Sequence, residues 1–537
     1  MQIRKGEQNS GWKNAPFLRL LLPLIIGIGI EKYFPLQSVF LIPVFCLSVL
    51  LIVMCNTLSC QGFFEMDWIA GMAIQLAIFS FGRMVMHFHQ DIPVEQSSCF
   101  SKKPANCLLL RLLSDPVPKQ NSWKVVARVS WLCKNQCCYF ENEQILVYFN
   151  KKLDARQVSS GSLILFRKEL QPIRNEKTTD FDYKGFCRLR HIYGQVFLNK
   201  DEFVQVGHEQ EKTIISSLDS FRRKLLIILK KQIPRESENG FLEALLFGYT
   251  VDLDPGLLKS YADTGVIHII AISGLHLALI CQLLQMAIQT LGRRKSGQWL
   301  KFIVVVTCLW AYSLFSGASP SAIRAAAMFS LVLFARNILR EAVLFNTLAA
   351  SAFILLCFDP AWLWDTGFQL SYAAVLGLRL FAIPLQALIP VQNKILKVIW
   401  KAASVSIAAQ VLTTPVSIFY FHRFPVYFLV ANLVAVPLSS GILLGGIGLC
   451  ICYRIQPVAD FLGWMLGAWI QVLNGIIRYI SKLPGSVISQ LTLTIPQLIV
   501  MYIIIFCFHR FLSRKQKPWF LAGLSAIVLF QFIRLIG

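Results

Sequence analysis

The sequence predicts a polytopic α-helical membrane protein of about 11–13 membrane helices, with a small extracytoplasmic β domain inserted among them. Three observations carry this. First, 55% of the 537 residues are hydrophobic and only 15% are charged, where a soluble chain carries about a quarter charged. Second, mean hydropathy is +0.57, and apolar runs of near-membrane length recur along most of the chain. Third, residues 100–212 break this pattern with a polar, basic, strand-like stretch.

Residues 1–99 hold three apolar runs, at about 17–30, 36–56 and 67–87. A basic start with no small-residue cleavage site before the next run predicts a retained first helix rather than a removed signal. Arg4, Lys5, Lys13 and Arg19 precede or open that helix and argue for a cytoplasmic N-terminus. Three crossings then place the β domain outside. The loop at 57–66 has no Lys or Arg to hold it inside, and Arg293, Arg294 and Lys295 form a compact cluster after the run near 266–290, cytoplasmic if that helix runs inward.

Within 100–212, Trp123, Val125, Ala127, Val129 and Trp131 alternate with a second face. Further strands are expected at 143–149, 161–168, 192–198 and 201–206. Five strands in about a hundred residues fit a small β-barrel of OB-fold type. Lys124, Arg128, Lys134, Lys151, Lys152 and Arg156 lie near Trp131, Tyr139, Tyr148 and Phe149. Cations and aromatic faces together suit a phosphate-bearing strand, while the same residues also serve as solvated charges and barrel filling. Residues 213–235 then form a basic amphipathic helix for the membrane interface, with Ile214, Leu218, Phe221, Leu225 and Ile228 at helical spacing.

A membrane core follows over 236–512, with a last helix at 513–537. Its runs lie near 266–290, 299–316, 322–336, 342–358, 366–389, 398–420, 426–452, 458–481, 493–512 and 518–536. The net charge of +23 serves orientation and contact with anionic membrane lipids, or an anionic substrate. Fifteen cysteines show no paired CxxC at zinc spacing. Cys133, Cys137 and Cys138 in the soluble part leave a disulfide and free thiols equally open.

The core motifs are polar groups set in apolar runs. His268, Ile272 and His276 share one helix face, with Ser273 and Gly274 between them. Such groups face a cavity or hydrogen-bond between packed helices. Gly274 loosens the helix, as in transporters whose broken helices present N–H groups to anions. Neither a zinc spacing nor a hydrolase elbow is present here. In Ser316–Ala327, Pro320 suits the first turn of a helix, and Ser319 is its N-cap candidate. Arg324 then sits one turn in, facing a phosphate-bearing path or pairing with Asp365 or Asp263. Gln369, Ser371 and Tyr372 stand at the head of another helix. Gln410 with Thr413-Thr414-Pro415, and Asn432 before Pro437, add to a polar interior.

The ordered series HIIAISGLHLALI, SGASPSAIRAAAM, DTGFQLSYAAVLGL and ANLVAVPL resembles the ComEC family of competence proteins, as do 244–268 and Phe181-Asp182-Tyr183-Lys184. The resemblance covers most of residues 15–510. It implies a bacterial inner-membrane channel that passes single-stranded DNA into the cytoplasm, with an extracytoplasmic OB-type domain. The path would be lined by His268, Ser273, Gly274, His276, Ser319, Arg324, Gln369, Ser371 and Asn432. Implied partners are a DNA receptor and a cytoplasmic motor or single-strand-binding proteins. Larger members carry a C-terminal metallo-β-lactamase-like domain, and this sequence is expected to be a short form without it, leaving any nuclease as a separate protein. No Walker A motif supplies energy from within. No enzyme activity, metal or cofactor is expected. The alternative is a secondary transporter or flippase for another anionic solute or lipid.

Overall fold

The computed structural model describes residues 15–36, 38–60, 67–89, 107–113, 115–119, 121–134, 137–140, 143–151, 158–175, 183–188, 190–208, 214–289, 295–338 and 344–536. The flanking cations Arg4, Lys5, Lys13, Arg293 and Arg294, the Phe181-Asp182 pair, Lys152 and Arg156 lie outside them. Contacts divide the chain into two compact units. One joins Leu22–Ser217 to the distant stretch Leu356–Asp365; the other takes in the described residues of Met1–Leu21, Leu218–Leu355 and Thr366–Gly537.

The first unit contains most of α1 (Pro16–Tyr33), then α2 (Ser38–Cys60) and α3 (Asp67–His89). Helices α1 and α3 are clamped by a buried ion network. The Glu31 carboxylate, with no exposed surface, accepts from Arg83 Nε at 2.9 Å and Nη2 at 2.8 Å, and lies 3.0 Å from His87 Nδ1. A carboxylate taken out of water needs such partners.

The sheet of this unit has strands β1 (Cys107–Leu112), β2 (Val117–Pro118), β3 (Ser122–Lys134), β4 (Cys137–Phe140), β5 (Gln144–Asn150), β6 (Ser162–Phe166) and β7 (Gln171–Pro172). A short helix α4 (Tyr183–Arg188) precedes β8 (Ile192–Leu198) and β9 (Phe203–His208). Their order is β7-β8-β5-β3-β1-β6-β9, with β2 and β4 also on β3. All pairs are antiparallel except β5–β8. The path from β7 to β9 is open among the described residues, so the expected small barrel is met by a mixed sheet. Leu110, Val125, Ala127, Val129, Ile145, Val147 and Ile164 have no exposed surface and form one core. The alternation continues to Val129 and then breaks. Leu109 pairs with Trp131 but Leu110 with Val129, so Ser130 is the extra residue of a bulge. Trp131 is thereby turned off the core row and is 45% exposed.

The second unit holds most of α5 (Ile214–Gln232), then α6 (Glu236–Phe247), α7 (Pro255–Asp263), α8 (Ile267–Ile270), α9 (Gly274–Ala287), α10 (Lys295–Phe315), α11 (Pro320–Ile338) and the start of α12 (Leu344–Phe358). After a 3-10 turn at Pro360–Trp364 come α13 (Thr366–Leu388), α14 (Lys394–Phe421), β10 (Arg423–Pro425), α15 (Phe428–Cys452), α16 (Gln456–Ser481), β11 (Val487–Ser489), α17 (Ile495–Arg514) and α18 (Lys517–Ile536). Helix α5 buries Leu225 and Leu229 in a core shared with α6, α7, α15 and α16, and leaves Arg223, Lys224 and Lys231 exposed.

Nine described helices are long and apolar enough to cross a membrane: α3, α10, α11 and α13 through α18. Apolar segments in α2, α9 and α12 are shorter, and α1 carries Arg19, Glu31 and Lys32. The chain is a multi-pass membrane protein. Its bare apolar surface, such as Ile451 at 74% and Trp464 at 71% exposure, is what lipid covers.

Candidate functional site

The run expected as one helix over 266–290 is broken. Helix α8 stops at Ile270, Ala271 is extended (φ −77°, ψ 145°), and α9 starts at Gly274. Upstream, Gly265 turns the chain with φ +77°, and a Cβ there would sit 2.7 Å from Pro425 Cγ. Only glycine meets both demands. The break is held by its own side chains. Ser273 Oγ accepts from the His276 N–H at 3.4 Å, and His276 Nδ1 accepts from the Ser273 N–H at 3.3 Å. This is a capping box with histidine in the place that Glu or Gln takes. Helix α11 is tied to it, because the Ser321 hydroxyl donates to the Ile272 carbonyl at 2.7 Å.

His276 and Arg324 are 1% and 4% exposed, and His276 Nε2 is buried without a hydrogen bond. His268 differs: it is exposed, at the second residue of α8. The Tyr372 phenol lies 2.9 Å from the Ser351 hydroxyl. Gln369 Nε2 donates to Tyr420 Oη at 3.3 Å. Polar groups of α8–α9, α11, α12, α13 and α14 therefore share the interior of this unit. Ser319 caps α11 through the Ala322 N–H at 3.4 Å. Ser371 spends its hydroxyl on the Gly367 carbonyl at 2.7 Å. Asn432 is half-buried on α15 and Gly274 exposed. Asp263, one expected partner of Arg324, pairs with Arg423 at 3.7 Å. Tyr372 was among the polar groups read from the sequence; Ser351 and Tyr420, which bond to Tyr372 and Gln369, carried no sequence signal beyond being polar in apolar runs.

In the sheet, Lys124 is committed inward. Its ammonium donates to Tyr183 Oη at 2.8 Å, and burial lowers its pKa from the ordinary lysine value. Tyr183 also lies 3.4 Å from Tyr148 Oη, whose ring stacks on Phe197 at 4.8 Å. Arg128 pairs across the strands with Arg111, a residue the sequence reading passed over. On the same face, Trp131 pairs with Leu109, Leu109 with Leu165, and Leu165 with Val204. Trp131, Leu165 and Val204 are exposed, so two guanidiniums border an apolar row. Lys151 is exposed. Only the backbone of Lys134 is described.

The family model described as "Competence protein" matches residues 245–515, about half of the chain. The chain is 26% identical over 327 residues to "ComE operon protein 3" of Bacillus subtilis (strain 168), covering 60% of this chain and 40% of that protein. It is 28% identical over 296 residues to "Recombination protein 2" of Haemophilus influenzae, covering 52% and 36%. It is 26% identical over 246 residues to "Uncharacterized protein YcaI" of Escherichia coli (strain K12), covering 44% and 32%. The matches thus span two fifths or less of these relatives' lengths. No solved structure matches the chain.

Proposed function

This chain belongs to the competence protein family, and on that premise we propose that it is a bacterial inner-membrane channel passing single-stranded DNA into the cytoplasm during natural transformation. The observation that carries the proposal is the break at Ala271–Ser273, inside the family-matched region, where a helix is interrupted among polar side chains. Irregular backbone at membrane depth is tolerated where it lines a cavity or is buried in protein.

In this scheme Ser273, His276, Ser319 and Gly274 shape the break. His268, Arg324, Gln369, Ser371 and Asn432 supply the path with few fixed cations, so that a polyanion is admitted without being gripped. The sheet, on the extracytoplasmic side and OB-like in role, offers Trp131 to bases and Arg111 and Arg128 to phosphates. The N-terminus is cytoplasmic, and the shorter apolar helices α2, α9 and α12 join the nine longer ones in the membrane. The chain acts as a conduit rather than an enzyme. A receptor delivers DNA, and a motor or single-strand-binding proteins draw it in.

The test is transformation frequency in a clean deletion, with and without the gene restored, and with donor DNA given naturally or by electroporation. Loss of natural transformation alone, rescued by the gene, is expected. Unchanged natural transformation in a competent host would overturn the proposal and leave the transporter or flippase alternative.

A further inference from the structure

Within the sheet-bearing unit, three side chains far apart in sequence converge. His89 ends α3, His191 lies in the turn before β8, and Asp359 is the N-cap of the 3-10 turn after α12. One ligand-capable atom from each lies within 4.8 Å of the others. His89 Nε2 is 3.2 Å from Asp359 Oδ1, yet Nε2 is shielded from solvent and makes no hydrogen bond. The distance is right for a hydrogen bond and the direction is not. Two atoms bound to one zinc ion at tetrahedral angles stand about 3.4 Å apart. The His89 and His191 rings meet edge-to-face, with centroids 4.9 Å apart and planes at 71°.

The surroundings hold these groups in place. Asp359 Oδ1 accepts the Ala361 N–H at 3.0 Å. His191 Nδ1 lies 3.4 Å from Tyr193 Oη; a proton on Nδ1 donated there would leave Nε2 as the ligand atom, the arrangement by which an outer partner orients a metal-bound imidazole. His191 adopts a left-handed backbone with φ 56°, a conformation that histidine, like Asn and Asp, enters more readily than other side chains.

We propose that His89, His191 and Asp359 form a zinc site, with a fourth position open to water. Two imidazoles and one carboxylate suit this borderline cation better than the hard cations calcium or magnesium. The ion would tie the end of α3 to the sheet and to the turn at 360–364. The proposal is independent of DNA transport.

The full chain, without a histidine tag, is purified in detergent, stripped with a chelator and titrated with Zn²⁺ against a chromophoric competitor. Binding of one zinc per chain, a raised melting temperature with zinc, and visible bands of a four-coordinate site with Co²⁺ are expected. His191→Asn keeps a residue that tolerates the left-handed turn, and Asp359→Asn keeps a good N-cap. Each should weaken zinc at least tenfold and remove the cobalt bands while melting like the zinc-free parent. Absence of stoichiometric zinc in the parent, or equal zinc binding by both variants, would overturn the site.

Discussion

Replacing His276 separates two roles that one residue could play, holding the break or meeting the cargo. In His276→Ala the Ser273 N–H loses its acceptor, at about 1 kcal/mol for an orphaned donor whose bond was already long at 3.3 Å. A side chain only 1% exposed also leaves a void, adding about 1–2 kcal/mol. The sum of about 2–3 kcal/mol shifts the balance between the capped and frayed break by about 30- to 150-fold. In His276→Gln the amide takes the usual place of Gln in a capping box, and a swap of similar size should cost less than about 1.5 kcal/mol. Membrane abundance, thermal unfolding in detergent and transformation frequency are measured for both. His276→Gln should stay near wild type in all three, while His276→Ala is depleted and destabilised. A stable, abundant His276→Gln protein with no DNA uptake would refute the capping account, because the imidazole itself would then be needed.

Glu31→Gln leaves Arg83 without its counter-charge beside a fully buried partner, and about 3 kcal/mol of stability should be lost, read as a lower melting temperature and faster proteolysis of the first unit. Gly265→Ala combines a positive φ with a clash against Pro425 and should cost at least about 1–2 kcal/mol; a normal melting curve would show that the turn relaxes freely. Lys124 tests linkage in the sheet. Burial lowers its pKa, so between the lowered value and about 10.5 the unfolded chain holds a proton that the folded one has released. Stability should therefore rise with pH across that window, and Lys124→Met should flatten the slope when melting is followed below about pH 10, before tyrosines titrate.

Long apolar runs made the helices legible in the sequence, most of them within a few residues of their observed ends. Short amphiphilic pieces did not announce themselves. Helices α6 and α7 lack a membrane-length run, and β1 (Cys107–Leu112) reads as Cys-Leu-Leu-Leu-Arg-Leu, with no alternation, though it lies in the middle of the sheet. Trp131 shares the period-two register of Val125, Ala127 and Val129 in the sequence, and such counting cannot foresee the one-residue bulge that turns it out. At the site, Gly274 did signal a broken helix. The box between Ser273 and His276 was hidden because histidine is not the usual residue at that position. The convergence of His89, His191 and Asp359 could not be read from spacing at all, since only the fold makes them neighbours.

The first unit closes on a segment made late. Residues 356–365 belong to it, yet a ribosome reaches them roughly 150 residues after Ser217. Until then Lys32 has no Trp364 ring beneath it, a contact of 3.6 Å in the folded protein, and His89 has no Asp359. The sheet and first helices must wait in an unfinished state while α5 through α12 are synthesised. Biogenesis, rather than final stability, is where a lesion in this ten-residue stretch would be felt first. A chain stopped just before it would carry every strand of the sheet and still lack the piece that finishes the unit.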